Sequence, residues 1–173
     1  MTRRTGAEAE RRLRQLGTDL ALFFPAPAGW WEDADLRTRV AADARGPVDL
    51  DVVAGLEAAD QLLVNRLKTR RGELAPLGHP EYGSRHHELI GQPNVERTRA
   101  LIKLHVLDAM RHEPRVVKVL ACDVTPAHRP PRDVVRITMT MQMVDEIEPR
   151  NLVVPFSLEL SADGTTDAAG VTP

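Results

Sequence analysis

From Asp51 the apolar residues of this chain keep a helical spacing as far as Glu113-Pro114-Arg115 and a spacing of two beyond it. A segment patterned with one period cannot settle as the other, so this switch limits the folds open to the chain. Before it, Val52, Leu56, Ala59, Leu63 and Leu67 recur at helical intervals, widened by Val53 and Leu62. A second stripe runs through Ala100, Leu101, Leu104, Leu107 and Met110, broadened by Ile102, Val106 and Ala109. After it, three runs alternate: Val116–Val124, Val134–Val144 and Leu152–Leu160. Two helices followed by a three-stranded antiparallel meander predict an α+β domain, with the helices packed on a small sheet.

Local chemistry places the boundaries. Asp49 or Asp51 is the expected N-cap of the first core helix, and Asn94, after Pro93, that of the second. Gly72 follows the basic last turn of Lys68, Arg70 and Arg71, and Glu73 to Gln92 reads as an ordered loop. Pro155 cannot donate to a ladder, which assigns the last strand to an edge or a bulge. The first strand is apolar on both phases and is expected to be buried. Upstream, Ala7 to Leu16 predicts a helix stopped by Gly17. Leu20 to Phe24 predicts a short strand closed by Pro25 and Pro27, and Leu36 to Ala42 a weak one. The expected organisation is an N-terminal helical arm (1–17), one domain (18–160) and a disordered, apolar-poor tail (161–173).

Composition excludes several functions. A net charge of −2 over 173 residues makes no electrostatic case for nucleic acid or an anionic membrane. One cysteine, Cys122, allows no internal disulfide and no cysteine-based zinc cluster. No apolar stretch reaches the 18 or so residues of a membrane span, and Met1-Thr2-Arg3-Arg4 opens no signal peptide, so the expected location is the cytoplasm. No cofactor is expected.

The run Arg66-Leu67-Lys68-Thr69-Arg70-Arg71-Gly72-Glu73-Leu74 is followed by Pro80-Glu81-Tyr82-Gly83-Ser84 and then by the Glu113-Pro114-Arg115 triplet. With Gly17-Thr18-Asp19-Leu20 at the start, this combination resembles the baseplate wedge, or sheath-initiator, family. That family serves contractile phage tails, type VI secretion and extracellular contractile injection systems, and some of its members are labelled lysozyme-like. The resemblance covers roughly Gly17 to Leu160. It implies a non-enzymatic structural subunit, present in six copies around the tail tube and assembled into an injection particle. Its implied partners are the sheath protein, other wedge subunits and the inner tube or hub. It also implies docking through Glu113, Pro114 and Arg115, and a sheet edge near Pro155 that receives a sheath strand by β-augmentation. Gly72, Glu73, Pro80, Tyr82 and Gly83 form the structural loop. A second triplet, Glu148-Pro149-Arg150, falls between the last two strands and reads as a turn.

The triplet read as residues alone offers a carboxylate and a guanidinium fork outward from a turn, or a surface ion pair of about 0–1 kcal/mol. Trp30 and Trp31 are candidate interface anchors, or a loop folded over a thin core. One rival function is a small metal-dependent hydrolase using His79, His86 and Glu88, although adjacent histidines lack the helical spacing of zinc proteases. Glu81 and Glu88 lack the apolar setting that a glycosidase acid needs. Another rival is a nucleic-acid module using Arg3, Arg4, Arg11, Arg12 and Arg14, which Glu8 and Glu10 interleave.

Overall fold

The three expected C-terminal strands form an antiparallel meander in the computed structural model, which describes residues 6–23, 34–40, 48–127 and 134–158. Each core-facing residue of the central strand has a reason to be there. In β8 (Val134–Met143), Val135, Ile137, Met139, Met141 and Met143 are all buried, while Arg136, Thr138, Thr140 and Gln142 face the other way. That alternation is the period-two pattern read directly as a half-buried strand. β9 (Arg150–Ser157) pairs with β8 in unbroken register and buries Leu152, Val154 and Phe156. The fold is α+β.

β7 (Val116–Pro126) departs from expectation. Its pairing with β8 slips between Val116 and Lys118 and again between Val119 and Ala121. Val117 and Leu120 are the extra residues of these two bulges, and both are exposed. Each bulge moves the chain one residue out of phase, so Val116, Val119, Cys122 and Val124 meet the core instead of an alternating set. The strand expected to be buried is therefore an irregular, largely exposed edge.

Two helices cover the sheet. α2 (Leu56–Lys68) buries Ala59, Leu63 and Leu67, and α3 (Glu96–Arg111) buries Ile102, Val106, Ala109 and Met110. On α3 the buried face is the one read as secondary in the sequence. Leu104, expected at the centre of the core, is 59% exposed, because the helix is rotated so that Thr98, Ile102 and Val106 point inward. Leu63→Ala is accordingly expected to cost ~2–5 kcal/mol, and Leu104→Ala within about 0.5 kcal/mol of nothing. Comparing their denaturant midpoints checks both values.

Neither expected cap is used. α2 begins at Leu56, after Gly55 at φ 64°, and the segment before it is strand. Asp49 and Asp51 accept the N–H of the residue that follows each, Leu50 and Val52. Asn94 receives the Arg99 guanidinium at 2.9 Å, and α3 starts from Val95.

The N-terminal segments build a three-way junction. β1 (Thr18–Leu20) pairs with β6 (Val52–Ala54), β2 (Leu22–Phe23) with β3 (Asp35–Leu36), and β4 (Thr38–Val40) with β5 (Val48–Leu50). Where the three pairs meet, the backbone bonds close a ring. The Ala21 N–H donates to Asp51 (2.9 Å), Asp51 to Arg37 (2.8 Å) and Arg37 to Ala21 (2.8 Å). Ala21 is fully buried at the crossing and packs with Val53 and Ala58. Gln61 of α2 continues the ladder, accepting from Leu22 N–H and donating to the Leu20 carbonyl, each at 2.8 Å. The opposite phase, with Leu20, Leu36, Leu50 and Val52, stays exposed. The expected single strand over Leu20 to Phe24 is thus two short ones divided at Ala21. The helix before the junction, α1 (Gly6–Leu16), sends Leu16 into the main core.

Candidate partner-binding site

The Glu113-Pro114-Arg115 turn joins α3 to β7, with Glu113 N–H on the Met110 carbonyl and Val116 N–H on the Glu113 carbonyl. Its carboxylate does not point outward. Glu113 is 2% exposed, and its two oxygens are held by Arg66 of α2 at 2.9 Å and Arg115 at 3.0 Å. The Tyr82 ring lies 4.5 Å from the Arg66 guanidinium carbon, and burial pushes the Tyr82 phenol up. This corrects the reading of an exposed acid–base pair. Two guanidinium groups replace the water that the buried carboxylate loses. The surface of the turn is Pro114 and the outer flank of Arg115, whose side chain is 31% exposed. A Cβ added at Gly17 would sit 3.6 Å from Arg115 Nη2, so the start of the junction closes over the same guanidinium.

Arg66 enters the sequence pattern only as the head of its run, although the signal for its burial is present. It lies three residues after Leu63 and beside Leu67, on the buried face of α2, and a buried arginine requires an acid nearby. Which acid is decided only by the packing of the turn on the helix.

The loop between the helices braces this cluster. Gly72 turns at φ 89°, and Glu73 accepts the Arg70 N–H at 2.9 Å. Arg71 reaches Asp108 of α3 at 2.5 Å and pairs with Glu81, while Pro80 is exposed. Gly83 is buried against the Thr69 and Arg70 backbone, which seats Tyr82 under Arg66. Arg150 of the second triplet grips Asp60 of α2 with Nε and Nη2, and Glu148 is exposed in the β8–β9 turn, as expected. Trp30 and Trp31 lie outside the described residues, as do Arg3, Arg4 and the 161–173 tail.

Several residues named for the rival chemistries are held by other partners. His86 is enclosed with Ser84, and Glu88 pairs with Arg85. Among the described residues no cluster of three or more His, Cys, Asp or Glu side chains is placed to hold a metal. Arg71 pulls Glu81 below the usual carboxylate range, and Arg85 does the same to Glu88, whereas a glycosidase acid must be raised. Of the N-terminal arginines, Arg11 bridges to Asp145 in the β8–β9 turn at 3.1 Å. Among the described residues no helix is long and apolar enough to cross a membrane.

No family model matches the chain, and no curated protein does. A solved structure does match: a candidate tail lysozyme from Geobacter sulfurreducens, 26% identical, with a TM-score of 0.51. The match covers 60% of this chain and 90% of that one. The fold is thus shared with a tail-related protein.

Proposed function

We propose that this protein is a structural, non-enzymatic baseplate subunit of a phage-tail-like contractile machine. It docks on wedge subunits through Pro114 and Arg115 and offers the outer edge of β9, at Asn151 and Val153, to a strand of the sheath protein. The observation that carries this reading is the contrast between the two sheet edges in a tail-related fold. β7 is bulged twice, which twists an edge away from further pairing. β9 is regular along its length, and among the described residues no strand lies beyond it.

Pro155 pairs in register with Arg136 and has no N–H, so its nitrogen faces away from β8. By the alternation of an antiparallel ladder, Asn151 and Val153 then turn their N–H groups to the same open side. Val153→Pro removes one of these outward donors and leaves the β8 pairing intact. With wedge, tube and sheath proteins co-expressed, this variant is expected to yield baseplates and tubes without sheath in electron micrographs. Full-length sheaths on Val153→Pro particles would overturn strand addition.

The neighbour's description favours one competing reading, a cell-wall hydrolase. Release of soluble fragments from purified peptidoglycan by the isolated protein would replace our reading with that one. No release is the expected result, since Glu113 is committed to two arginines inside the fold.

A further inference from the structure

Two adjacent histidines fasten the connection between α2 and α3 to the rest of the molecule. His86 is buried, with Nδ1 at 2.8 Å from Ser84 Oγ, and Ser84 Oγ lies 3.4 Å from the His105 carbonyl of α3. His87 Nε2 lies 2.7 Å from the Leu67 carbonyl. That carbonyl belongs to the last turn of α2, where helical acceptors lack an intrahelical donor, so His87 supplies one. The two rings are 4.3 Å apart, and both meet Phe156 of β9 edge-on, at 4.5 and 5.7 Å. Gly91 N–H donates to the Leu158 carbonyl at 2.7 Å and closes the seam.

We infer that His86 and His87, seated on Phe156, form an acid-opened latch that holds the 84–91 turn against β9 and the end of α2. Both bonding patterns work with uncharged rings, and no carboxylate is paired with either ring among the described residues. The charged and titratable groups facing them are few. Among the described residues α3 contributes His105, where a charge would oppose one on His86, and β9 contributes the Phe156 ring. The turn after α2 contributes Arg70, which opposes charge on His87, and Glu73, which favours it but already holds the Arg70 N–H. On the turn itself Arg85 and Glu88 neutralise each other.

Burial lowers the pKa of His86 well below the ordinary value and that of His87 to a lesser degree. The opened turn returns both rings to water and binds protons more readily. The latch is therefore fully closed above the ordinary histidine range of about 6.5 and weakens as pH falls below it. Each proton taken up preferentially by the open form favours opening by up to about tenfold per pH unit.

Hydrogen exchange of the full chain tests this at about pH 7.5 and about pH 5, corrected for intrinsic rates, within the span where histidine changes charge. Protection at Ser84 and Gly91 is expected to fall by about tenfold or more relative to β8. His86→Asn with His87→Gln keeps each hydrogen-bonding nitrogen without a titrating ring, and should hold that protection at both pH values. Equal loss in β8, no loss in wild type, or the same loss in the double variant would overturn the latch. If the double variant does not fold, imidazole resonances of the wild type decide. Titration of His86 in step with the loss of Gly91 protection supports the latch. Titration while Gly91 stays protected overturns it.

Discussion

Glu113→Ala is expected to destabilise the protein by about 3–5 kcal/mol, a large part of the 5–15 kcal/mol that holds a typical domain together. The carboxylate is the shared counter-ion of Arg66 and Arg115, and its removal leaves two cations facing each other around an emptied site. Among the described residues their Nε atoms are buried without a hydrogen-bond partner, so the carboxylate is the main acceptor that the cluster holds. Urea titration followed by circular dichroism measures the loss, and Glu148→Ala, on the exposed copy of the triplet, is the control at within about 0.5 kcal/mol. A Glu113→Ala protein as stable as its parent would show that the cluster is not closed in solution. This result also bears on docking. An assembly defect in Glu113→Ala would reflect misfolding, so the proposed docking is tested at Arg115, the partly exposed member of the cluster.

Gly83→Ala is expected to cost about 2–5 kcal/mol, from a backbone strained by a side chain and a core forced apart. Gly83 sits at φ +99°, and a Cβ there would fall 2.6 Å from the Thr69 carbonyl oxygen and 2.7 Å from that of Arg70. Both are backbone atoms of the bridge in which Ser84 N–H meets Thr69 and Arg71 N–H meets Ser84, so neither can move aside cheaply. Gly72 separates the two causes. It has φ +89° but nothing within 4 Å of an added Cβ, so Gly72→Ala carries the conformational term alone, about 1–2 kcal/mol. Thermal melts of the two variants should differ by several degrees; equal melting temperatures would mean that the loop does not press on the end of α2.

The parts of the fold legible in the sequence are those governed by local period. β8 and β9 were readable because each packs one face on the core, and alternation survives where the ladder is regular. The two core helices were readable for the same reason, but their rotation was not. α3 has leucines on one side and Ile102, Val106 and Ala109 on the other, and both stripes repeat every three or four residues. Only the sheet beneath selects between them, which is why Leu104 ends in solvent. The junction was unreadable for a different reason. Its strands are two or three residues long, too short to carry a period, and the bonds that define it join residues far apart in the chain. Val52 and Val53 fit a helical stripe and became strand because β1 was available to pair with them.

The candidate site divides in the same way. Chain chemistry alone determined that Glu113, Pro114 and Arg115 form a turn between a helix and a strand, that Gly72 and Gly83 mark backbone bends, and that Pro155 belongs on an edge. Each follows from a property of one residue type: a missing N–H, a missing Cβ or a break in period. Tertiary structure decided that Glu113 faces inward, that Arg66 is its partner across 47 residues of chain, and that β7 is the bulged edge and β9 the regular one. Burial and pairing are set by which surfaces meet. A charged side chain carries no mark of the guanidinium it will face until the helix that bears that group has packed beside it.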